Sequence, residues 1–378
     1  MEKSIAFIES EFKRIGLEPL DGLKSFRQEF SHDMVTGTQA TVSANNKSID
    51  KRKIIVMSSR ESLQLGSATA IHRIKKGDNA FQQFSKLSRD TTDGIVLVDT
   101  AHAKTFHAIQ EWLGPKRILN SINPGSKVFL LSTDTVLTSV TVNISQKREK
   151  LLMTNVVGQI KAPKQTRESV IFSGHYDHIG IQPSIEGDSI ANGADDDASG
   201  TTAVIVLADH FKKFKNLKRN LIFVAFTAEE IGGYGSRYFS SNLNPDDIVA
   251  MFNIEMIGKL SKWGANAAFI SGFERSDFGS ILQSNLKGSA VTFHPDPYPD
   301  QNLFYRSDNA TLARLGVPAH TISTDQIDID KLYHTVNDEF ESIDINNMTE
   351  IIRAIAMSAT SMVSGDAKPT RIDTSKVE

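Results

Sequence analysis

The first 50 residues combine one helical pattern with a polar connector. Apolar residues recur at helical spacing within residues 3 to 16, at Ile5, Ile8, Phe12 and Ile15, which predicts an amphipathic helix that ends near Gly16. Residues 17 to 50 are polar and show no clear period, so we predict irregular structure there. We assign residues 1–50 as the N-terminal helix and connector of the main domain.

Short apolar runs typical of strands follow in residues 51–150, at Ile54–Val56, Gly94–Val98, Lys127–Leu131 and Val140–Ile144. Residues 105 to 113 between them have a helical pattern. The segment contains no group of side chains suited to bind a ligand. We therefore predict a small β-rich module that covers or frames a site formed elsewhere.

From residue 154 onward, apolar runs and helical patterns alternate. The predicted strands are Asn155–Ile160, Val170–Ser173, Leu221–Phe226, Val249–Ile254, Ala268–Ser271 and Ala319–Ser323. The predicted helices cover 198 to 214, 233 to 241, 276 to 287, 308 to 315 and 345 to 363. This alternation predicts a mostly parallel sheet with helices on both faces. We assign residues 151–365 to this α/β domain and 366–378 to a loose tail.

The composition limits which partners and which metal ligands the chain can have. The net charge of −3 does not favour nucleic acid or an anionic membrane surface as a partner. No apolar run approaches the length of a membrane span. The chain has no cysteine, so a metal site would have to use His, Asp and Glu.

Acids and imidazoles concentrate between residues 173 and 200, directly after a predicted strand. His175 and Asp177 are two residues apart and share a face of the strand end, where a carboxylate can fix the tautomer of a ligating imidazole. We expect the neighbouring His178 to be structural. Asp195, Asp196 and Asp197 precede a helix; one acid satisfies a helix N-terminus, and the middle one could bridge two cations.

Three further candidates follow other predicted strands or precede the last helix. Glu229 and Glu230 come just after one apolar strand, and two adjacent carboxylates repel each other unless a cation or proton intervenes. The alternative for this pair is a solvated turn. Glu255 follows another strand and is bounded by apolar residues, so it needs a partner. His334 lies in the loop before the final helix.

Taken together, these side chains predict a centre for two divalent metals with only nitrogen and oxygen ligands. The predicted ligands are His175, Asp196, Glu230, Glu255 and His334. The imidazoles favour zinc, and two such ions can activate a water between them and polarise a carbonyl. Glu229 remains free to act as a general base.

Five segments resemble the signature segments of the two-zinc aminopeptidase family, whose relatives include glutamate carboxypeptidase and glutaminyl cyclase. They are Gly174-His-Tyr-Asp-His-Ile-Gly180, Asn192-Gly-Ala-Asp-Asp-Asp-Ala-Ser-Gly200, Ala228-Glu-Glu-Ile-Gly232, Asn253-Ile-Glu-Met-Ile-Gly258 and Tyr333-His-Thr335. The resemblance runs from about residue 154 to about 363. It implies the zinc-exopeptidase fold, an α/β/α sandwich around a mixed, mostly parallel sheet.

The resemblance also implies roles. His175 and Glu255 would hold one zinc, Glu230 and His334 the other, and Asp196 would bridge them. Asp177 would orient His175, and Glu229 would be the catalytic acid/base. Many family members have Asp where this chain has Glu255.

Outside these motifs the resemblance implies a substrate site and a compartment. The segment Tyr305, Arg306, Ser307 and Asp308 is similar to the family's substrate-pocket segment. Residues 51–150 stand where some relatives carry a protease-associated domain. Because family members are commonly exported, we predict a periplasmic or secreted protein.

The predicted function is a zinc-dependent aminopeptidase with two Zn²⁺ per chain, which cleaves the N-terminal bond of peptides with a free N-terminus through a metal-bridging water. A carboxypeptidase is one alternative, with Arg306 as the candidate for binding a substrate carboxylate. A glutaminyl cyclase would use one zinc, whereas the presence of both His175 and Glu255 favours two. Receptor-like relatives lack the ligands present here. A metallophosphatase is disfavoured because the Gly-Asn-His-Asp segment is missing.

Overall fold

The computed structural model describes residues 1–119, 125–134 and 136–377. Residues 120–124 and 135 of the predicted module and residue 378 of the predicted tail lie outside the described residues. The chain divides into two compact units, one formed by Met1–Phe30 with Met153–Glu378 and the other by Ser31–Leu152. One boundary falls inside the long strand Arg27–Ala44, and the other falls inside the long strand Val140–Ile160.

The helices of the described residues are, in chain order, α1 (Glu2–Ile15), α2 (Ala80–Ser88), α3 (Ala103–Leu113), α4 (Gly200–Lys212), α5 (Tyr234–Ser241), α6 (Phe278–Asn285), α7 (Asn309–Ala313) and α8 (Ile345–Val363). The strands are β1 (Glu18–Pro19), β2 (Arg27–Ala44), β3 (Lys47–Ser48), β4 (Ile54–Met57), β5 (Ser62–Leu65), β6 (Ala70–Ile74), β7 (Gly94–Asp99), β8 (Arg117–Ile118), β9 (Lys127–Ser132), β10 (Val140–Ile160), β11 (Ser169–His175), β12 (Gly180–Ile185), β13 (Asp188–Ala191), β14 (Asn220–Phe226), β15 (Ile248–Ile254), β16 (Ala267–Ile270), β17 (Thr292–Pro295) and β18 (Ala319–Ser323).

The larger unit contains a mixed sheet in the order β17-β16-β18-β15-β11-β14-β10. Strand β11 is parallel to both β14 and β15, and β15 is parallel to β18. Strands β10 and β16 run antiparallel to β14 and β18. The central strands are buried along their whole length, as expected of parallel strands covered on both faces.

Alternating side chains of these strands bury two cores. Phe172 stacks with Phe223 and with Phe252, and the three share a core with helices α1, α4, α6 and α8. On the opposite face, Ile171 and Met251 pack with residues of α5 and α7. The predicted α/β/α sandwich around a mixed sheet is confirmed.

The smaller unit has its own sheet, in the order β4-β9-β7-β6. Strands β6, β7 and β9 are parallel, and β4 is antiparallel to β9. Residues of α2 and α3 pack against one face, and residues of β5 and β10 against the other. The four strands predicted between residues 51 and 150 are confirmed; β5 and β6 were missed because their apolar residues are few.

Two predictions for the connecting segments are wrong. Residues 17 to 50 are not irregular, because Arg27–Ala44 forms a strand that pairs with β10. Its buried apolar residues are too widely spaced to show a period, so its conformation depends on its partner strand. The predicted tail is not loose either. Ile372 is buried, and its N–H donates to the carbonyl oxygen of Gly316 at 3.0 Å.

Within the ranges described above, no helix has the length and apolar character needed to cross a membrane.

Candidate metal centre

Three neighbouring parallel strands deliver the candidate side chains to one edge of the sheet. His175 is the last residue of β11 and is paired with Phe226, the last residue of β14. Glu255 directly follows β15. Glu229 follows β14 after a two-residue turn. Because the carboxyl ends of parallel strands meet at one edge, residues far apart in sequence converge there.

Strained main-chain positions accompany these side chains. Ala228, Met256 and His334 have φ values of 58°, 52° and 56°, a left-handed region that residues other than glycine rarely adopt. Ala228 precedes Glu229, Met256 follows Glu255, and His334 is itself a candidate ligand. Such positions cluster at functional sites, where the surrounding structure holds them.

Asp196 lies between two histidines. Its Oδ1 is 3.2 Å from Nε2 of His175, and its Oδ2 is 3.3 Å from Nε2 of His334. Burial alone would raise the pKa of Asp196, but its contacts with the two imidazoles outweigh burial and lower it. Each oxygen of this carboxylate therefore faces a different imidazole.

The candidate ligand atoms fall into two groups that share Asp196. Ligand atoms of His175, Asp196 and Glu255 lie within 4.8 Å of one another, as do those of His178, Asp196 and Glu230. Nε2 of His334 lies 3.0 Å from Oε2 of Glu230. The structure thus brings all five predicted ligands together.

His178 is a member of this centre that the sequence analysis assigned to a structural role. Its Nδ1 donates to Oε1 of Glu230 at 2.7 Å. Its position three residues after His175, in the loop that directly follows β11, was a signal that could have placed it there.

The histidines of this centre are suited to bind metal cations. Nε2 atoms of His175 and His178 are buried and have no hydrogen-bond partner among the described residues. Nδ1 of His175 faces the carbonyl oxygen of Asp177 at 3.0 Å; a carbonyl can only accept, so Nδ1 carries the proton and Nε2 is free to bind a metal.

The buried carboxylates of the centre also need positive charge nearby. Burial raises the pKa of Glu255 to about 7, even though His175 opposes the shift. Burial likewise raises the pKa of Glu229 well above its usual range. The ion-pair partners of Asp196 and Glu230 are imidazoles. Acids crowded in this way at low dielectric require cations or protons.

Asp177 supports the centre through the main chain. Its two carboxylate oxygens accept the N–H groups of Glu229 and Glu230 at 3.1 and 3.3 Å. Its Oδ1 lies 3.8 Å from Nδ1 of His175, whereas the carbonyl oxygen of Asp177 makes the hydrogen bond to that nitrogen. Asp177 thus contacts His175 and both glutamates.

The predicted substrate segment divides between two environments. Arg306 and Ser307 line a small cavity beside Glu255, together with Phe269 and Tyr333. The hydroxyl of Ser307 donates to Oε2 of Glu255.

The flanking residues of this segment lie outside the cavity wall. Asp308 is 1% exposed, and burial raises its pKa to about 6. The ring of Tyr305 packs against Phe304 and lies 5.2 Å from the guanidinium of Arg275.

A second group of acids lies next to the centre. Oxygens of Asp195, Asp325 and Asp330 are within 4.8 Å of one another. Nζ of Lys259 lies 2.6 Å from Oδ2 of Asp330 and 3.3 Å from Oδ2 of Asp195. We call these four residues the lysine cluster. An ammonium group already occupies it.

Comparison with known proteins decides the family. The profile described as Peptidase family M28 matches residues 155–359, which is more than half of the chain. The chain belongs to peptidase family M28. This is a family of co-catalytic zinc peptidases, in agreement with the resemblance found in the sequence.

Among curated family M28 relatives, the chain is 28% identical over 207 residues to "Leucine aminopeptidase 1" of Penicillium rubens, covering 50% of this chain and 51% of that protein. It is 34% identical over 112 residues to a "Probable zinc metalloprotease" of Pyrenophora teres f. teres, covering 28% and 23%. The chain spans about half the length of the leucine aminopeptidases it matches.

Solved structures agree on the fold. An aminopeptidase from Aneurinibacillus sp. strain AM-1 superposes with a TM-score of 0.54 at 18% identity, covering 100% of this chain and 90% of that one. The zinc aminopeptidase BSAP of Bacillus subtilis gives a TM-score of 0.55 at 16% identity, covering 100% and 92%. At these identities the comparison establishes the fold alone.

Proposed function

We propose that this family M28 chain is a zinc-dependent aminopeptidase whose centre holds two zinc ions. In this proposal His175 and Glu255 bind one ion, Glu230 and His334 bind the other, and Asp196 binds both. The name of the "Probable zinc metalloprotease" relative and the chemistry of the ligand set support zinc as the metal.

The position of Asp196 is the observation that carries the proposal. Its Oδ1 faces Nε2 of His175, and its Oδ2 faces Nε2 of His334. A carboxylate bound to a single ion would not need an imidazole beside each oxygen. This arrangement therefore supports two ions with Asp196 between them.

His178 completes the support of the second site. It donates to Oε1 of Glu230, while Oε2 of Glu230 faces His334. Hydrogen bonds of this kind orient a ligating carboxylate. When bound, the two ions would supply Lewis acidity toward a substrate carbonyl and a more acidic water.

Glu229 is the proposed general base and acid. Its neighbour Glu230 faces two imidazoles, whereas Glu229 makes no ion pair with them among the described residues. Burial raises the pKa of Glu229 well above its usual range, which suits a carboxylate that accepts a proton near neutral pH. It would take a proton from the attacking water and deliver it to the leaving amine.

The cavity beside Glu255 is the proposed site for the N-terminal residue of the substrate. A free amine would bind next to the acidic groups of the centre, and its side chain would enter the cavity lined by Met256, Phe269 and Tyr333. A carboxypeptidase would need a cation directed at the substrate. Arg306 also lines this cavity and is the candidate for that role; its side chain is exposed and donates to Gln301 at 3.3 Å. The comparison of free and acetylated peptides below distinguishes the two activities.

The test compares two adjacent glutamates on two kinds of substrate. Glu229→Gln should bind the same amount of zinc as the wild type while kcat for leucyl peptides falls by about 10² to 10⁴-fold, because the amide cannot carry the proton. Glu230→Gln should lose zinc as well as rate. N-acetylated peptides should be poor substrates of the wild type.

Zinc content and steady-state rates of both variants, on free and acetylated peptides, decide the outcome. A Glu229→Gln variant with near wild-type kcat and normal zinc would place the base elsewhere. Equal cleavage of acetylated and free peptides would rule out an aminopeptidase.

A further inference from the structure

Only the middle member of Asp195, Asp196 and Asp197 has its carboxylate between the imidazoles of the centre. Asp197 is 1% exposed and forms no ion pair among the described residues. A buried carboxylate needs compensation, and main-chain N–H groups provide it here.

The carboxylate of Asp197 joins three elements through those N–H groups. Its Oδ2 accepts from the N–H of His175, at the end of β11, at 3.0 Å. Its Oδ1 accepts from the N–H of Met256, just after β15, at 3.1 Å, and from that of Gly200, at the start of α4, at 3.0 Å.

Two glycines of the sequence motifs make room for this carboxylate. A Cβ at Gly174 would lie 2.9 Å from Oδ2 of Asp197, and a Cβ at Gly200 would lie 2.5 Å from each oxygen and 2.1 Å from the carbonyl oxygen of Ile254. Any side chain at either position would displace the carboxylate or the strand end. The two glycines therefore make room both for Asp197 and for the end of β15.

We propose that Asp197 is a positioning residue for one of the two zinc sites, the one formed by His175 and Glu255. Its two oxygens fix the main chain of His175 and of Met256, the residue that follows Glu255, relative to each other. The assignment rests on the proposed two-zinc centre.

The other site is held by different carboxylates. Asp177 accepts the N–H of Glu230 at 3.3 Å. Asp338, four residues after His334, accepts the N–H of Asp196, the ligand shared by both sites, at 3.0 Å. Loss of Asp197 should therefore weaken zinc at the His175–Glu255 site and leave the Glu230–His334 site close to its original affinity.

The experiment measures zinc bound per chain at buffered free-zinc concentrations for the full chain and Asp197→Asn. The amide keeps the shape but turns one acceptor into a donor that faces N–H groups. We expect two tight zinc ions in the wild type. In the variant one ion should bind about ten- to a hundredfold more weakly, as when other partners of metal ligands are removed, and the second should change by less than about threefold.

Two double variants identify the weakened site. Adding Asp197→Asn to Glu255→Gln should leave one tight ion, because both changes affect the same site. Adding it to Glu230→Gln should leave none. The matched control is Asp195→Asn, an equally buried acid of the same turn that accepts the N–H of Gly258 at 2.7 Å instead; it should lower the melting temperature without selecting one ion.

Equal weakening of both ions by Asp197→Asn, or selective loss in Asp195→Asn, would overturn the assignment and leave the proposed function in place. Unchanged zinc binding in Asp197→Asn would do the same. A wild-type chain that saturates with one zinc ion would instead overturn the proposed function and the assignment with it.

Discussion

Two groups of buried acids lie side by side in this molecule, and they obtain positive charge in different ways. In the lysine cluster, Nζ of Lys259 lies within 3.3 Å of carboxylate oxygens of Asp195 and Asp330. In the metal centre, the basic neighbours of Asp196 and Glu230 are imidazoles. Asp195 of the lysine cluster and Asp196 of the metal centre are adjacent in the sequence.

We interpret the acids of the lysine cluster as structural and those of the metal centre as metal ligands. A protonated lysine has no lone pair with which to bind a metal, whereas a neutral imidazole offers a lone pair. Burial raises the pKa of Asp195 to about 6 and of Asp325 to about 8, so the lysine cluster also needs a cation. In the lysine cluster, Lys259 of the chain itself provides the positive charge. In the metal centre, the chain provides side chains that can bind a metal cation.

Removal of Lys259 should have the largest effect on the stability of the lysine cluster. We expect Lys259→Met to destabilise the folded chain by about 3 to 5 kcal/mol, because it leaves buried acids without their cation. Denaturant unfolding of the zinc-loaded protein measures the effect. Added Ca²⁺ or Mg²⁺ should recover part of the loss, since the remaining oxygens suit a hard cation.

Lys262→Met is the control, an exposed lysine three residues along, and should change the free energy of unfolding by less than about 0.5 kcal/mol. If Lys259→Met were as harmless as the control, Lys259 would not neutralise the cluster.

The metal centre should respond to pH through its own ligands. Hydrogen bonds to Asp196 and Glu230 raise the pKa of His334 to about 9, and burial raises that of Glu255 to about 7. Both side chains must lose a proton to bind zinc, so zinc affinity should rise between pH 6 and 8, by about tenfold per pH unit for each proton released. Zinc titrations at pH 6, 7 and 8, in buffers of different ionisation enthalpy, measure the affinity and the protons released. An affinity that stays constant over this range would contradict the assigned ligands.

The sequence predicted the strands and helices that carry the centre, because each is strongly apolar and long enough to show its period. Strand Val170–Ser173 was found within Ser169–His175, and the helix at residues 345 to 363 has those bounds in the structure. Strand Arg27–Ala44 was missed, since its conformation depends on pairing with a distant strand rather than on its own pattern.

Prediction of the metal centre has the same limit, because local sequence does not show contacts with distant residues. Ligand candidates such as His175 and Glu255 could be named because they follow apolar strands directly. The roles of His178 and Lys259 depend on which residues of other loops face them, and local sequence does not contain that information. The hydrogen bonds of Asp197 to His175 and Met256 are of the same kind.

Zinc-edge anomalous diffraction from crystals grown with zinc would locate the ions of the two-zinc centre. We expect two peaks: one bonded to His175, Glu255 and an oxygen of Asp196, and one bonded to Glu230, His334 and the other oxygen of Asp196, at bond lengths of about 2.0 to 2.2 Å. We expect no peak beside Lys259. A single peak at full zinc saturation, or two peaks that do not share Asp196, would contradict the two-zinc centre.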